Sequence, residues 1–320
     1  MNYDYELPES LIAHRPLEER GDSRMLVLER RTGSIIHTSF ANFPKFIQHG
    51  DLVVLNDSRV IPARIFSSDH RVELLVLEQM PGLRWKCFVK PGRRMRLGMT
   101  IQIASATATV VEILQESGVR ILQLSDPVDL NTCGILPLPP YIKRPVDLAD
   151  SERYQTIFAR SPGSIAAPTA GLHFHSDILS LIPHVFLTLH VGAGTFLPVK
   201  TERIEDHVMH EETYSLPAPT ADAVNGARRT IAVGTTVTRV LESQPPGPLQ
   251  SATGSTRLFI HPPYQFQRID CLLTNFHLPK STLLMLACAF GGTEAVFAAY
   301  HEAIQKKYRF FSYGDCMLIL

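Results

Sequence analysis

The chain has 320 residues, of which 45% are hydrophobic, and its 31 Lys plus Arg balance 31 Asp plus Glu. This is enough apolar material for one large or two ordinary domains, and it excludes a chain that stays disordered. Zero formal charge excludes a polycation that coats nucleic acid, while leaving room for a local basic face.

Taken in order, residues 1–23 read as an irregular arm with one short helix around Pro8 to His14. The acids at Asp4 and Glu6 and the lack of an apolar run give no expectation of a secretory leader. Residues 24–29 and 35–39 flank Arg30-Arg31-Thr32-Gly33-Ser34, a hairpin turn. Residues 51–55 are a short buried strand running into the polar loop Asn56-Asp57-Ser58-Arg59. From 61 to 124 the texture changes to β-rich runs at 61–66, 71–77, 85–89, 100–104, 107–114 and 120–124, with no helix between them. Six such strands predict a small closed barrel, which leaves no sheet edge exposed. Lys90-Pro91-Gly92-Arg93-Arg94-Met95-Arg96 puts four cations in seven residues, a solvated loop or a phosphate contact. Residues 125–151 are Pro-rich, and Leu136-Pro137-Leu138-Pro139-Pro140 favours a stiff, extended link.

After 152 helix and strand alternate. Ser176 is placed to cap a helix ending at Pro183, and 185–191 is β-like. A strand at 230–233 leads through Gly234-Thr235-Thr236 into a helix to about 243. A strand at 269–275 leads to a helix over 282–290 capped by Ser281; Thr293 caps a helix over 294–307, and 316–320 is a last strand. This alternation predicts a mixed α/β fold whose loops gather at one sheet edge, where ligands sit. The expected organisation is a larger, discontinuous α/β catalytic domain, 1–60 and 152–320, with a smaller six-stranded β-barrel and its return linker, 61–151, inserted. The longest apolar run, within 283–290, is too short to span a bilayer. The five cysteines include no C-x-x-C pair, so reduced thiols in a cytoplasmic protein are expected.

Chemistry concentrates in a few stretches. Gly163-Ser164-Ile165-Ala166-Ala167-Pro168-Thr169-Ala170-Gly171-Leu172-His173-Phe174 is nearly uncharged and too rich in Gly, Pro and Ala for a strand or helix interior. Small residues let a backbone approach a ligand; two hydroxyls and an imidazole add specific contacts. His190-Val191-Gly192-Ala193-Gly194-Thr195-Phe196 has the same character, and two such loops point to a site. In His207-Val208-Met209-His210-Glu211-Glu212, beside Asp206, the two histidines can share a helical face. The spacing is not that of H-E-x-x-H zincins, so acid/base work by His207, His210 or Glu212 is preferred to a bound metal. Gly234-Thr235-Thr236 can cradle an anion at a helix N-terminus. Arg239 and Glu242 are expected to form an i,i+3 pair. Tyr308-Arg309-Phe310-Phe311-Ser312-Tyr313-Gly314-Asp315 is either a base-stacking surface or a core with one buried ion pair.

Nine segments in order resemble the S-adenosylmethionine:tRNA ribosyltransferase-isomerase family of queuosine biosynthesis. They are Leu55-Asn56-Asp57-Ser58-Arg59-Val60-Ile61-Pro62-Ala63-Arg64, Leu138-Pro139-Pro140-Tyr141-Ile142, Arg153-Tyr154-Gln155-Thr156, and residues 163–174, 190–199, 206–212, 232–236, 274–284 and 308–315. The turn at Ser67-Ser68-Asp69-His70, the trimmed 225–229, Pro263 and Val237-Thr238 depart from the family pattern at loop level. The resemblance implies the same larger α/β domain with an inserted β-barrel. It also implies that the ribosyl moiety of S-adenosylmethionine is transferred and isomerised onto 7-aminomethyl-7-deazaguanine at the tRNA wobble position. Epoxyqueuosine-tRNA forms, with release of adenine and methionine. S-adenosylmethionine is then a co-substrate; no cofactor and no metal are expected, and the expected protein is a cytoplasmic monomer with no membrane partner.

That reaction needs a base for the C5′ proton beside the sulfonium, an acid for adenine, and a base for the attacking amine. The catalytic candidates are His190, Glu212, His173 and His210, with His190 or Glu212 as base and His173 contacting adenine or ribose. Substrate contacts are expected from Gly163, Ser164, Ala167, Pro168, Thr169, Ala170, Gly171 and Phe174. Gly192, Gly194 and Thr195 are expected to add to them, with Thr235 and Thr236 on a carboxylate or phosphate, and Asn275, Phe276 and His277. Arg59, Arg93, Arg94, Arg96, Lys143 and Arg144 are expected on tRNA phosphates, and Phe174, Phe276 or Tyr313 under a flipped base. Two other readings stand beside this one: a non-catalytic RNA-binding protein, and a metal-dependent hydrolase using His207 and His210.

Overall fold

Residues Asp51–Asn56 are buried along their whole length, as four consecutive apolar residues require of a strand covered on both faces. In the computed structural model, which describes residues 3–114, 118–192, 194, 204 and 207–320, this strand lies at the centre of the fold. The strands are β1 (Arg24–Glu29), β2 (Ser34–Ser39), β3 (Asp51–Asn56), β4 (Ser58–Val60), β5 (Arg64–Phe66), β6 (Glu73–Met80), β7 (Arg84–Lys90), β8 (Thr100–Ile103) and β9 (Ala106–Leu114). They continue as β10 (Val119–Leu124), β11 (Ser161–Ser164), β12 (His184–Leu189), β13 (Glu212–Leu216), β14 (Arg229–Val233), β15 (Ala252–Thr256), β16 (Cys271–Asn275) and β17 (Cys316–Ile319). The helices are α1 (Leu130–Cys133), α2 (Leu148–Arg153), α3 (Ser176–Ser180), α4 (Ala218–Gly226), α5 (Gly234–Glu242), α6 (Thr282–Gly291) and α7 (Thr293–Gln305).

Among the described residues the strands form three sheets. The largest has the order β15-β13-β12-β3-β14-β16-β17-β1-β2. Its centre, β12, β3, β14 and β16, is parallel, so the C-terminal ends of four strands open on one edge. Successive residues divide between its faces. Leu26, Val54 and Leu272 pack with Val237, Val240 and Tyr300 on one side; Val27, Val53 and Leu273 pack with Phe40, Phe43 and Phe174 on the other. At the N-terminal end of β3, Asp51 is buried and accepts two bonds from Arg229 of β14, at 2.9 and 2.5 Å. Ser281 caps α6 as expected, accepting from the Leu284 N–H at 3.2 Å. Ser176 and Thr293 stand inside their first turns instead, behind His175 and Gly292.

The second sheet is antiparallel, in the order β5-β6-β7-β10-β9-β8. It is an open half-barrel and not the closed barrel that the strand count predicts. β5 has only three residues, and its outer edge is taken by Ile135, which exchanges bonds with Arg64 at 3.1 and 2.6 Å. Toward β8 the Ser68 N–H donates to the Gln102 carbonyl at 2.9 Å. Register shifts at Val76/Glu78 and Ile121/Leu122 bend the sheet around a core that includes Leu74, Trp85, Val110 and Leu122. The third sheet pairs β4 with β11 in parallel, where the sequence suggests loops.

The Pro-rich link and the N-terminal arm are tied by Arg144. Its guanidinium grips Asp150 at 2.6 and 2.7 Å, and its Nε donates to the His14 carbonyl at 3.1 Å. Tyr313 donates to the same carboxylate at 2.9 Å. Burial opposes the charge on Asp150, but these bonds and the Asp147 N–H outweigh it and hold its pKa at about 2. The stabilisation, about 2 kcal/mol, is complete above the ordinary carboxylate range and is lost as pH falls toward the folded value. Asp150→Asn should therefore differ most from wild type in urea-measured stability near neutral pH, with the difference shrinking as pH falls to about 2. A difference independent of pH contradicts this role.

Candidate active site

The two small-residue loops are stitched together. The Ile165 N–H donates to the Val191 carbonyl at 2.9 Å, and the Val191 N–H donates to Ser164 Oγ at 2.9 Å. Ser164 Oγ in turn donates to Ser58 Oγ at 2.9 Å. Asn56, at the end of β3, receives the Leu189 N–H on Oδ1 and donates Nδ2 to the Leu189 carbonyl, both at 3.0 Å. Loops that carry few side chains of their own are thus held by side-chain bonds from the strand ends.

Beside them lies a pocket of about 120 Å³. Residues 166–170 form one wall; Thr235 and Thr236 at the start of α5, and Thr274 to His277 at the end of β16, form the other. Tyr141, Tyr154, Phe311 and Ser312 close it. Gly234 turns the chain from β14 into α5 at φ +87°, a conformation that suits glycine. Phe311 has φ +73°, a strained value for a bulky residue that costs about 1–3 kcal/mol. It is held by its own N–H on the Phe276 carbonyl, 3.1 Å, and by Asn275 Nδ2 on its carbonyl, 2.8 Å.

The charged part of the wall is a buried pair. Glu212 and Arg239 are each 5% exposed. Arg239 Nη1 donates to Glu212 Oε2, while Glu212 Oε1 accepts the Gly192 N–H at 2.8 Å and Arg239 Nε donates to the Leu258 carbonyl at 2.9 Å. The expected Arg239–Glu242 pair does not form. Glu242 instead receives the backbone N–H groups of Gln267 and Arg268 at 2.9 Å and of Ile269 at 3.3 Å. Three donors converging from the approach to β16 satisfy it, and Arg239 is left to β13.

The histidines fall into different environments. His173 is buried, with Nδ1 at 2.9 Å from Ser23 Oγ and Nε2 at 3.2 Å from Asn275 Oδ1. Because Asn275 Nδ2 is committed to Phe311, its Oδ1 must accept, which assigns the His173 proton to Nε2. Burial pushes this imidazole down to about 4, and with both nitrogens used it is a positioning group, lining a smaller cleft with Arg20, Arg153 and Tyr313. His277 lines the main pocket, bonds Thr274 Oγ1 at 2.8 Å, and is pushed by burial down to about 3. His190 is half-buried, and among the described residues its buried Nδ1 has no hydrogen-bond partner. Burial lowers its pKa and Asp57 partly offsets that. His207 sets its ring edge on Phe259, centroids 5.3 Å apart, and His210 is exposed against Gly194.

Of the sequence candidates, Ala167, Pro168, Thr169, Ala170, Glu212, Thr235, Thr236, Asn275, Phe276 and His277 line the pocket. Gly163, Ser164, Gly171, Gly192 and His190 are not among the residues that line it. Thr195 and Asp206 lie outside the described residues. Phe174 is a core residue, fully buried edge-on to Phe40 at 4.9 Å, and offers no face to a base. Arg144 is consumed by Asp150, and Lys143 pairs with Glu9 at 3.0 Å on the surface. Arg59, Arg93, Arg94 and Arg96 are exposed. Tyr154, Ser312 and Arg239 also line the pocket, although none is named as a site candidate from sequence: Tyr154 and Ser312 fall in the family-like segments 153–156 and 308–315, and Arg239 reads there only as a partner of Glu242.

A pocket with a buried ion pair, at the carboxyl edge of a parallel sheet, defines a ligand-binding α/β protein. Residues 1–319 match the family described as queuosine biosynthesis protein, and the chain belongs to that family. It is 50% identical over 337 residues to the S-adenosylmethionine:tRNA ribosyltransferase-isomerase of Carboxydothermus hydrogenoformans, covering 100% of this chain and 99% of that one. It is 46% identical over 357 residues to the enzyme of the same name from Syntrophus aciditrophicus, again covering 100% and 99%. Among solved structures, S-adenosylmethionine tRNA ribosyltransferase from Thermotoga maritima is similar, with 36% identity, 99% of each chain covered and a TM-score of 0.57.

Gly163 combines a close neighbour with a left-handed backbone. Its φ is +144°, and a Cβ there would lie 2.8 Å from His190 Nδ1. Gly163→Ala should cost about 1–3 kcal/mol and push the His190 ring toward solvent, raising its pKa toward the ordinary value. Denaturation and an NMR titration of His190 check this; an unchanged His190 titration contradicts it.

Proposed function

We propose that this protein transfers and isomerises the ribosyl moiety of S-adenosylmethionine onto 7-aminomethyl-7-deazaguanine at the wobble position of tRNA, giving epoxyqueuosine-tRNA and releasing adenine and methionine. The observation that carries this is likeness over the whole chain to enzymes of that name, up to 50% identity. We also propose that it acts as a cytoplasmic monomer of two units, 1–60 with 152–320 and an inserted 61–151, needing no cofactor or metal. In support, the strands of the half-barrel all fall within 64–124. Among the described residues no single helix is long and apolar enough to cross a membrane. The metal-hydrolase reading has little behind it, since His207 turns to Phe259 and His210 to Gly194.

The adenosyl part of the donor lies along residues 166–170, where small side chains allow close approach, with its adenine toward Asn275 and His277. Its anionic end points to Thr235 and Thr236 at the α5 N-terminus. The sulfonium acidifies the C5′ protons, and a base removes one. We assign His190 as that base, with the ribose of the donor at the Gly163 end of residues 163–170: burial lowers its pKa and so favours the neutral form, and among the described residues Nδ1 has no hydrogen-bond partner. Glu212, with both oxygens engaged, positions Arg239 and the Gly192 loop. His173 holds Asn275. RNA phosphates meet the exposed Arg59, Arg93, Arg94 and Arg96.

Incubation with S-adenosylmethionine and an anticodon stem-loop carrying 7-aminomethyl-7-deazaguanine should release adenine and raise the RNA mass. RNA binding without adenine release would favour the non-catalytic RNA-binding reading. His190→Ala should lower turnover by about 100-fold or more while donor and RNA still bind; normal turnover removes His190 from the base role.

A further inference from the structure

We propose that Arg239 and Thr236 form an anchor for the α-carboxylate of the donor, so that the pocket selects donors with an amino-acid tail. This rests on the reading that the pocket takes S-adenosylmethionine, and it names the residues that recognise the methionine end.

The starting point is an imbalance in hydrogen bonds. Arg239 uses Nε on Leu258 and Nη1 on Glu212, yet among the described residues its buried Nη2 has no partner. A charged donor left unpaired in the interior costs more than a neutral one, so a fold does not keep one idle at a pocket wall. A second orphan lies one turn earlier on the same helix: Thr236 Oγ1 is also buried without a partner. Positions three apart share a helix face, and both residues line the main pocket. Thr236 is in the first turn of α5, a nine-residue helix, where free N–H groups and the helix dipole add further attraction for negative charge. Every group offered here is a donor.

The neighbouring charge decides between kinds of anion. Arg239 is already tied to Glu212, so the wall as a whole is close to neutral. An RNA phosphodiester brings one negative charge and no cation to set against Glu212. An amino-acid tail carries both signs: its carboxylate meets Arg239 Nη2 and Thr236 Oγ1, and its ammonium is tolerated beside the Glu212 carboxylate. Glu212 is then a positioning residue that fixes the guanidinium plane.

The test compares two thioethers with the same adenosyl group. S-adenosylhomocysteine carries the amino-acid tail; 5′-methylthioadenosine has a methyl group in its place. Calorimetric titration without RNA excludes a phosphate source. Arg239→Lys and Thr236→Val should each weaken S-adenosylhomocysteine by about 10-fold or more and leave 5′-methylthioadenosine unchanged. Thr236→Val is close to isosteric and leaves the Glu212–Arg239 pair intact, so it serves if Arg239→Lys fails to fold. If wild type binds both ligands and the variants weaken both equally or neither, the anchor is overturned while the donor reading stands. If wild type binds neither, the donor reading falls and the anchor with it.

Discussion

Glu212 and Arg239 are both removed from water, and neither tolerates that alone. Taking away one partner of a buried pair typically costs about 3–5 kcal/mol, because the other charge is left uncompensated. Here the pair joins elements far apart in the chain. Glu212 opens β13 and receives the Gly192 loop; Arg239 projects from α5 and holds the carbonyl of Leu258. The contact therefore fixes how the first helix after β14 sits against the edge of the central sheet. It also holds Gly192, next to the pocket-lining Val191, against β13.

The rest of the wall is uncharged, small or apolar residues interspersed with hydroxyl, amide and imidazole groups. Burial keeps His173 and His277 neutral through the physiological range. His173, Asn275 and Phe311 form a chain of bonds that holds a strained backbone at the pocket's rim. Where most of the lining side chains are buried, a few oriented dipoles and one ion pair act strongly on a ligand. A cationic sulfonium with a zwitterionic tail suits such a pocket, since the wall supplies both signs without a net charge of its own.

Much of the scaffold was legible in the sequence because its signals are local. The apolar runs of β3, β14 and β16 and the Ser281 cap announce themselves within a few residues. So did the two Gly-rich loops, whose composition allowed nothing regular and drew attention to the right edge of the sheet. Within the first loop, composition could not separate Ala167 to Ala170, which face the pocket, from Phe174, which faces the core. What depends on distant partners was not legible. Glu212 and Arg239 are 27 residues apart, so a local i,i+3 reading paired Arg239 with Glu242 instead. The half-barrel stays open because Ile135 occupies the edge of β5, and nothing within the six strands reveals that. β13 and β15, with sequences Glu-Thr-Tyr-Ser-Leu and Ala-Thr-Gly-Ser-Thr, are too polar and too short to stand out. Phe311 gives no sign of its left-handed backbone, since its side chain is one that ordinarily avoids it.

The most direct measurement is a crystal structure of the protein with S-adenosylhomocysteine bound. The adenosyl group should lie along residues 166–170, with the tail carboxylate within hydrogen-bond distance of Arg239 Nη2 and Thr236 Oγ1, and the Glu212–Arg239 contact unbroken. A ligand bound elsewhere, or a tail directed away from α5 with Arg239 Nη2 still unpartnered, would contradict the site described for this chain.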